Sequence, residues 1–280
     1  LAQEPDRVFL DFSNFSMREI KEGIFLSGLA SKYFGHWLPE FLPKLEFLKR
    51  HPDFGRLPII VDADMPQSHF DHLRRLIGKK SLILLKTNES LLCRRLLVAP
   101  SPTFFPVEFL PHDIPMHKLP GLSLRSIRFL RNGKSHKTKK TSHRRIFLSR
   151  KNTSWRRVIN EEEISTFLLS FGFETIFTEE MSMVEQINLF KNAQYIVAPN
   201  GSALLNLIFS DPSTKLLVLA QPNMHNWGSF QGAMDALGYQ SLCVCGDYAI
   251  DESQKHSDYH IPLQRISEGL SYLGINKNPT

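Results

Sequence analysis

Short apolar runs alternate with stretches of helical spacing along this chain, and turns of small or polar residues separate them. Short apolar runs between turns predict buried strands, and apolar residues recurring every three or four positions predict amphipathic helices. In the second half the two kinds of segment alternate regularly, which is typical of a parallel, doubly wound sheet. The predicted strands there are 146–148, 173–176, 195–198 and 215–219, and the predicted helices are 161–171, 182–192 and 203–209.

Two of these helices begin with capping signals. Asn160 precedes the first helix and Glu163 lies three positions later, which is the spacing of a capping box. Ser182 and Glu185 repeat this spacing at the next helix. Gly172 follows the first helix and suits the left-handed conformation that often ends a helix.

The first half of the chain is also mixed, with less regular spacing. Prolines predict a loop over 100–120, and Pro262 precedes a last amphipathic helix. The predicted strands are 57–61, 81–85 and 92–98, and the predicted helices are 67–77, 121–130 and 264–273. The chain is therefore predicted to be α/β throughout.

The most informative turn joins the strand 195–198 to the helix 203–209 through Pro199, Asn200, Gly201 and Ser202. The first backbone N–H groups of a helix lack partners within the helix, and the helix dipole favours negative charge there. Gly201 and Ser202 leave room for a diphosphate to approach the main chain. The alternative is an ordinary strand–turn–helix connection, which looks the same in sequence.

A second polar segment follows the strand 146–148. Ligands of open α/β sheets bind outside the carboxyl ends of the strands, which is where Arg150 is expected. Its planar guanidinium suits bidentate phosphate recognition better than a lysine would. Arg156 and Arg157 follow within the same loop. The alternative is a solvated basic loop with no ligand.

Several stretches together resemble glycosyltransferase family 61. They are S-R-K-N…R-R-V-I-N-E-E-E from residue 149, F-K-N-A-Q-Y-I-V-A-P-N-G-S-A-L-L-N-L-I-F from residue 190, and P-S-T-K-L-L-V-L from residue 212. The family includes plant xylan arabinosyl- and xylosyltransferases, animal secretory-pathway O-linked GlcNAc transferases and many bacterial capsule-synthesis proteins, which are the closest in length. The resemblance implies an inverting, nucleotide-sugar-dependent enzyme that is GT-B-like, with two Rossmann-like domains facing a central cleft.

The resemblance also implies an organisation of the chain. Residues 1–132 form the acceptor-side Rossmann-like domain, and residues 146–258 form the domain that binds the nucleotide sugar. Residues 133–145 are a basic linker, read either as a mobile loop or as a contact for donor phosphate, anionic glycan or anionic lipid. Residues 259–280 contain the last helix, which is expected to pack back on the first domain.

One position departs from the family pattern. Members usually carry His-Gly-Ala-Gly at the glycine turn, where this chain has Asn200 followed by Gly-Ser-Ala. Asn keeps a hydrogen-bond donor but carries neither the charge nor the proton of histidine. The expected role of Asn200 is a weaker contact to the donor phosphate. The residues assigned to the donor are Ser149, Arg150, Lys151, Asn152, Arg156, Arg157, Glu185, Asn200, Gly201, Ser202 and Asn206.

The catalytic assignment rests on an early segment, G-H-W-L-P-E-F-L-P, which matches the family pattern of Gly-His-Trp followed by an acidic residue and Leu-Pro. His36 and Glu40 are four residues apart, so a helix places them on one face. Inverting transfer needs a base for the acceptor hydroxyl, and either residue can serve. The alternative is a buried histidine and a surface glutamate beside an aromatic core helix.

Composition agrees with a globular, anion-binding protein. The 280 residues are 42% hydrophobic and 22% charged, which excludes a disordered chain. The formal net charge of +6 fits an anionic donor, and it also allows peripheral contact with an anionic membrane. No nucleic-acid-binding module is recognised, so no nucleic-acid partner is expected.

Cysteine usage and hydropathy bear on localisation. Three cysteines form neither a disulfide framework nor a zinc motif, which favours a reducing compartment. No stretch reaches the roughly 18 apolar residues of a membrane-spanning helix. The expected location is cytoplasmic, with peripheral association at the inner membrane.

No metal cofactor is predicted. Asp62 and Asp64 invite comparison with the metal-binding Asp-x-Asp of GT-A enzymes, but the rest of the chain favours a turn at a strand end. His112, Asp113 and His117 match no strong metal site.

The sequence therefore predicts an inverting, metal-independent glycosyltransferase of surface-polysaccharide (capsule or lipopolysaccharide) synthesis. Its partners are a nucleotide sugar, expected to be UDP-linked, and a glycan or lipid-linked glycan acceptor. The alternatives are a catalytically degenerate family member that binds a nucleotide or glycan, and a plain nucleotide-binding scaffold.

Overall fold

The computed structural model describes residues 16–103, 123–132, 144–154, 156–222, 234, 237–249 and 257–277, and the backbone of 2–4 and 7–9. Outside these residues lie 133–143 of the predicted linker and 104–120 of the predicted proline-rich loop, with His112, Asp113 and His117. The chain forms two compact units, Leu1–Ser101 and Pro102–Thr280. This division lies earlier than the boundary placed at 132 from sequence.

The first unit is built on a four-stranded parallel sheet with the order β5-β4-β3-β6. If the four strands of this sheet are counted from one to four along the chain, their spatial order is 3-2-1-4. A separate two-stranded antiparallel ladder joins β1 and β2. The strands are β1 Ala2–Glu4, β2 Arg7–Phe9, β3 Ser16–Phe25, β4 Ile59–Asp62, β5 Leu82–Leu85 and β6 Glu89–Leu97.

Helices of the first unit connect these strands. The longest is where the sequence predicts it, at residues 67–77. The segment after β3 passes from a single α-helical turn into a π-helical turn, Trp37–Phe41. A 3₁₀ turn occupies Pro52–Gly55. The α-helices are α1 Phe34–His36, α2 Lys44–Leu48 and α3 Gln67–Ile77.

The second unit contains a five-stranded parallel sheet with the order β11-β10-β9-β7-β8, and a short antiparallel pair, β12 and β13. Its strands are β7 Arg144–Leu148, β8 Glu174–Ile176, β9 Ala193–Pro199, β10 Lys215–Ala220, β11 Gln240–Cys245, β12 Asp247–Tyr248 and β13 Tyr259–His260. Its α-helices are α4 Leu124–Arg131, α5 Glu161–Leu169, α6 Met183–Asn192 and α7 Leu263–Tyr272. The parallel sheets confirm the predicted α/β class with Rossmann-like topology.

The core of the second unit includes α7. Ile266 and Leu270 are fully buried in the cluster that contains Phe147 of β7 and Leu217 of β10. Gly269 lies so close to Leu217 that a Cβ atom there would be 2.8 Å from its Cδ1. The apolar face of α7 is therefore buried within the second unit.

The capping predictions have different outcomes. Ser182 and Glu185 form both bonds of a capping box at the start of α6. Gly172 has φ 76°, as a left-handed helix end requires. The box predicted at Asn160 is wrong, because the Asn160 amide bonds the backbone of Ile261 instead, donating to its oxygen and accepting from its nitrogen.

The helix after the glycine turn is also of a different kind. Residues Ser202–Phe209 form a 3₁₀ helix, whereas the sequence predicts an α-helix there. A 3₁₀ helix has i→i+3 bonds and so still begins with N–H groups that lack internal partners. The turn keeps the character that made it a candidate anion site.

Candidate functional site

The strand order of the second unit creates a switch point at the carboxyl-terminal end of its sheet. If the five strands of the sheet are counted from one to five along the chain, their spatial order is 2-1-3-4-5. The chain connections therefore run in opposite directions on the two sides of the gap between β7 and β9. Ligands of doubly wound sheets bind at such a switch point, outside the carboxyl ends of the strands. Ser149 and Arg150 follow β7 there, and Asn200, Gly201 and Ser202 follow β9.

Arg150 and Gly201 meet across this switch point. A Cβ atom added at Gly201 would overlap the Arg150 guanidinium, so the side chain lies directly on the glycine. Burial lowers the pKa of the guanidinium below its ordinary value, and the positive charge of Arg156 lowers it further. Arg150 therefore lies on a glycine turn with a second positive charge near it, which is an arrangement suited to an anionic ligand.

Arg156 adds a second feature of a binding site. Its backbone has φ 53°, a left-handed conformation that is uncommon for a residue other than glycine. Its buried Nε atom has no hydrogen-bond partner among the described residues. Strained backbone and unsatisfied buried donors cluster at functional sites, where a ligand completes the bonding.

The segment that contains Arg150, directly after β7, is held by hydrogen bonds of the Ser149 and Glu161 side chains. Ser149 is buried, and its hydroxyl donates to the carboxylate of Glu161, the first residue of α5. The same carboxylate accepts from the backbone N–H of Arg150 at 3.0 Å. The Ser149 hydroxyl also accepts from the backbone N–H of Lys151 at 3.1 Å. Ser149 thus holds the loop through its side chain.

Three further residues assigned to the donor from sequence bond to other partners. Arg157 is exposed and donates twice to one oxygen of Asp258, Oδ2, from Nε at 2.9 Å and from Nη2 at 2.6 Å. Lys151 pairs with Glu162 at 2.6 Å on the surface. Asn152 donates to a carboxylate oxygen of Glu179 at 2.9 Å. The structure thus bonds each of these three side chains to an acidic residue of a neighbouring segment.

Glu185 and Asn206 lie in the framework around the turn. Glu185 caps α6, as described above. Asn206 is fully buried in the 3₁₀ helix and donates to Gln186 at 2.9 Å, while Gln186 donates to the backbone oxygens of Thr178 and Met181. This chain of bonds ties the glycine-turn helix to the loop after β8.

Asn200 and Ser202 flank the glycine. The backbone N–H of Asn200 donates to the oxygen of Leu219 at 2.8 Å, which extends the pairing of β9 with β10 past the end of the strand. Ser202 is exposed at the first position of the 3₁₀ helix. Both therefore lie at the same carboxyl-terminal end of the sheet as Arg150.

Two residues of this region are not singled out by the sequence reasoning. Glu161 looks like one of three ordinary acidic residues at a helix start, and only its burial distinguishes it. Tyr259 lies beyond the predicted domain core; its buried hydroxyl donates to the Leu219 oxygen at 3.0 Å, and burial raises its pKa. No local pattern marks either residue.

The first unit holds the second candidate group. His36 Nδ1 lies 2.6 Å from Glu40 Oε1, with both side chains largely buried. When Nδ1–H donates to the carboxylate, Nε2 carries no proton and is the basic nitrogen. The Ser101 hydroxyl donates to the backbone oxygen of Glu40 at 3.5 Å, so this segment lies against the chain that follows β6.

Trp37 anchors this pair in the unit. It is fully buried, and its Nε1–H donates to the backbone oxygen of His69 at 3.1 Å. The Trp37 and His69 rings stack with centroids 5.7 Å apart. The segment therefore contains both the His36–Glu40 contact and a fully buried aromatic side chain.

Asp62 ends β4 and is used within the protein. It accepts from the Ser27 hydroxyl at 2.6 Å, from the Ser31 hydroxyl, and from the Gly28 backbone N–H at 3.5 Å. Asp64 is exposed. The described parts of the chain contain no cluster of three or more His, Cys, Asp or Glu side chains that could hold a metal ion.

The sequence model of Glycosyltransferase 61 matches residues 34–217, well over half of the chain. The chain belongs to the glycosyltransferase 61 family. The match includes both candidate groups, the His36–Glu40 pair and the Arg150–Gly201 contact. No curated protein matches the chain.

Membership of the glycosyltransferase 61 family supports a transferase that uses a nucleotide-sugar donor and a glycan acceptor. Within the described residues, no helix is both long enough and apolar enough to cross a membrane.

Proposed function

We propose that this family 61 protein is an inverting, metal-independent glycosyltransferase with a GT-B-like arrangement and a UDP-linked donor. The observation that carries the proposal is the contact of Arg150 with the glycine turn at Gly201, with the positive charge of Arg156 close to Arg150. Like charges brought together in a partly buried site repel each other, and the diphosphate of a donor offsets that repulsion.

The donor site supplies the leaving-group chemistry. As the bond between the anomeric carbon and the phosphate oxygen breaks, negative charge accumulates on the nucleoside diphosphate. Guanidinium groups and N–H groups already in place stabilise that charge without reorganisation. This is the physical basis on which we propose that no divalent cation is needed.

The His36–Glu40 pair supplies the base. In the proposed step, His36 Nε2 takes the proton of an acceptor hydroxyl while its oxygen forms the new bond to the anomeric carbon. The imidazolium that results is stabilised by the Glu40 carboxylate at Nδ1. The reaction thus gives an inverted glycoside, a nucleoside diphosphate and a proton that His36 later releases.

The biological setting of the proposal is surface-polysaccharide synthesis, of the capsule or lipopolysaccharide type. It is supported by the resemblance to bacterial family members and by the net charge of +6, which favours a lipid-linked acceptor at an anionic membrane. We place the activity in the cytoplasm, peripheral to the inner membrane.

The test is a nucleotide panel. UDP, GDP, ADP and CDP are titrated into the protein by calorimetry, and thermal unfolding is measured with each at saturation. A ligand at 100 times its dissociation constant adds about 2.7 kcal/mol to the free energy of unfolding. Binding by UDP, followed by slow hydrolysis of a UDP-sugar, supports the proposal. Failure of every nucleotide to bind contradicts it.

A catalytically degenerate, nucleotide-binding protein is the second candidate. It is favoured by Asn200, which replaces the usual family histidine at the glycine turn. Nucleotide binding without donor hydrolysis or transfer would distinguish this candidate from the enzyme.

A further inference from the structure

Glu161 is the buried acidic residue at the start of α5. Glu161 is only 8% exposed, whereas the adjacent Glu162 and Glu163 on the same helical turn are exposed. Burying a carboxylate is unfavourable unless hydrogen bonds replace its water. Both oxygens of Glu161 are bonded, Oε1 to the Ser149 hydroxyl and Oε2 to the Arg150 N–H.

These bonds fix the corner at which β7 ends. The backbone N–H of Ser149 donates to the Ile176 oxygen at 2.8 Å and continues the pairing with β8. The next N–H, that of Arg150, turns to Glu161. The direction of the Arg150 main chain, and hence the origin of its side chain, is set by this carboxylate.

The residue before Glu161 holds the start of the helix in place. Asn160 donates to the Ile261 oxygen at 2.9 Å and accepts from its N–H at 3.1 Å. The carboxylate therefore projects from a fixed point toward the Arg150 corner.

We propose that Glu161 is the positioning residue of the donor site, and that it acts through Arg150 without contacting the nucleotide. The inference rests on the proposed function. Glu161 holds the Arg150 backbone, and the guanidinium at the far end of that side chain lies on Gly201. A displacement of about 1 Å at a positioned group is enough to change its effect by up to about a hundredfold.

The experiment is calorimetric titration with UDP. Glu161→Ala removes both acceptors, and we expect UDP affinity to fall about tenfold or more. Glu161→Gln keeps an acceptor for the Arg150 N–H and can donate to the Ser149 hydroxyl, so it should retain affinity within about threefold of the wild type. Equal losses in the two variants would show that charge, and not position, is what matters, and would overturn the proposal.

Glu163→Ala is the matched control, because it removes the same charge from the same helical turn, where the side chain is exposed and 3.1 Å from the Asn160 amide. Its UDP affinity should stay within about twofold of the wild type, since the Arg150 corner is untouched.

A double-mutant cycle separates positioning from general destabilisation. If Glu161 acts through Arg150, the Glu161→Ala change should cost little further UDP affinity in an Arg150→Ala background. An equal additional loss in that background would overturn the proposal. If Glu161→Ala fails to fold, Ser149→Ala removes one partner of the carboxylate and should weaken UDP binding to a smaller degree. Unchanged affinity in Ser149→Ala would then contradict it.

The outcomes distinguish the two proposals. No UDP binding by the wild-type protein would overturn the proposed function and this role together. Normal UDP binding by both the wild type and a folded Glu161→Ala variant would overturn this role alone.

Discussion

At the scale of single residues, the proposed donor site depends on the position of one guanidinium group, that of Arg150. Arg150 is largely buried, and both burial and the charge of Arg156 lower the pKa of its guanidinium below the ordinary value. A bound diphosphate reverses that balance because it supplies the opposite charge at hydrogen-bonding distance. The affinity for nucleotide should therefore respond strongly to this one side chain.

Arg150→Ala should lower nucleotide affinity tenfold to hundredfold, since a hydrogen bond to a charged group is worth about 1.5–3 kcal/mol. Calorimetry with UDP measures the effect. Arg128→Ala, an exposed arginine on α4 of the same unit, is the control and should bind UDP normally. Wild-type affinity in a folded Arg150→Ala protein would remove this residue from the donor site.

Gly201→Ala tests the same contact from the opposite side. The backbone at Gly201 is extended, so alanine adopts it without strain, but its Cβ atom would push the Arg150 guanidinium aside. We expect a change in stability below about 1 kcal/mol together with a fall in UDP affinity of about tenfold. Gly55→Ala is matched to it, because a Cβ atom at Gly55 meets nothing within 4 Å. Equal UDP affinity in the two variants would argue against the contact.

The proposed base makes a separate prediction in the first unit. His36→Ala should lower turnover by about 10²–10⁴ with saturating donor and acceptor, because proton transfer by a positioned base contributes this much. Glu40→Gln should lower it less, because Glu40 orients the imidazole. UDP affinity should change in neither variant. Near-normal turnover in both would assign the base to another residue.

At the scale of secondary-structure elements, local signals were reliable where no distant residue competes for the same side chain. The capping box of Ser182 and Glu185 forms because both partners lie within one turn. Asn160 has the same local pattern, yet its amide bonds Ile261, which is distant in sequence. Sequence spacing contains no information about that competition.

Strand β3 shows another limit of sequence reasoning. It was not predicted, because its first half is exposed on both faces and lacks the alternation of a half-buried strand. Its pairing with β6 holds it in the sheet. In the proposed donor site, the positions of Arg150 and the glycine turn at strand ends could be predicted from sequence. Glu161 could not be found, because its burial depends on how α5 packs against the residues that follow β7.

Helix α3 introduces a dependence of stability on pH. Burial lowers the pKa of His69 to about 4 and that of His72 to about 3, and the charge of Arg75 lowers the latter further. Both are thus neutral in the folded protein. In the unfolded chain these histidines bind protons near pH 6.5, so their contribution to stability is fully present above that pH. It is lost as the pH falls toward the folded-state pKa values of about 4 and about 3.

Urea unfolding at a series of pH values checks this prediction. The free energy of unfolding should decline below pH 6.5 by up to about 1.4 kcal/mol per pH unit for each histidine. The doubly substituted His69→Asn, His72→Phe protein should show a flatter decline over the same interval. An identical slope in the two proteins would mean that other groups determine the acid response.

At the scale of the whole molecule, the α/β class follows from the alternation of strands and helices, whereas the surface that each helix buries depends on tertiary packing. The burial of α7 in the core of the second unit is an example. Periodicity shows that α7 has an apolar face and leaves open which surface covers it.

The same scale decides whether the enzyme needs a metal. We expect transfer from a UDP-sugar to survive EDTA, because arginines and N–H groups at the glycine turn perform the role that a divalent cation has in other transferases. Asp64→Asn should then leave turnover nearly unchanged. Asp62→Asn should lower stability or turnover without creating a response to added metal, since Asp62 holds the loop that contains Ser27 and Ser31. Turnover that EDTA abolishes and magnesium or manganese restores, with losses in both aspartate variants, would instead identify a metal-binding Asp-x-Asp and refute the metal-independent mechanism.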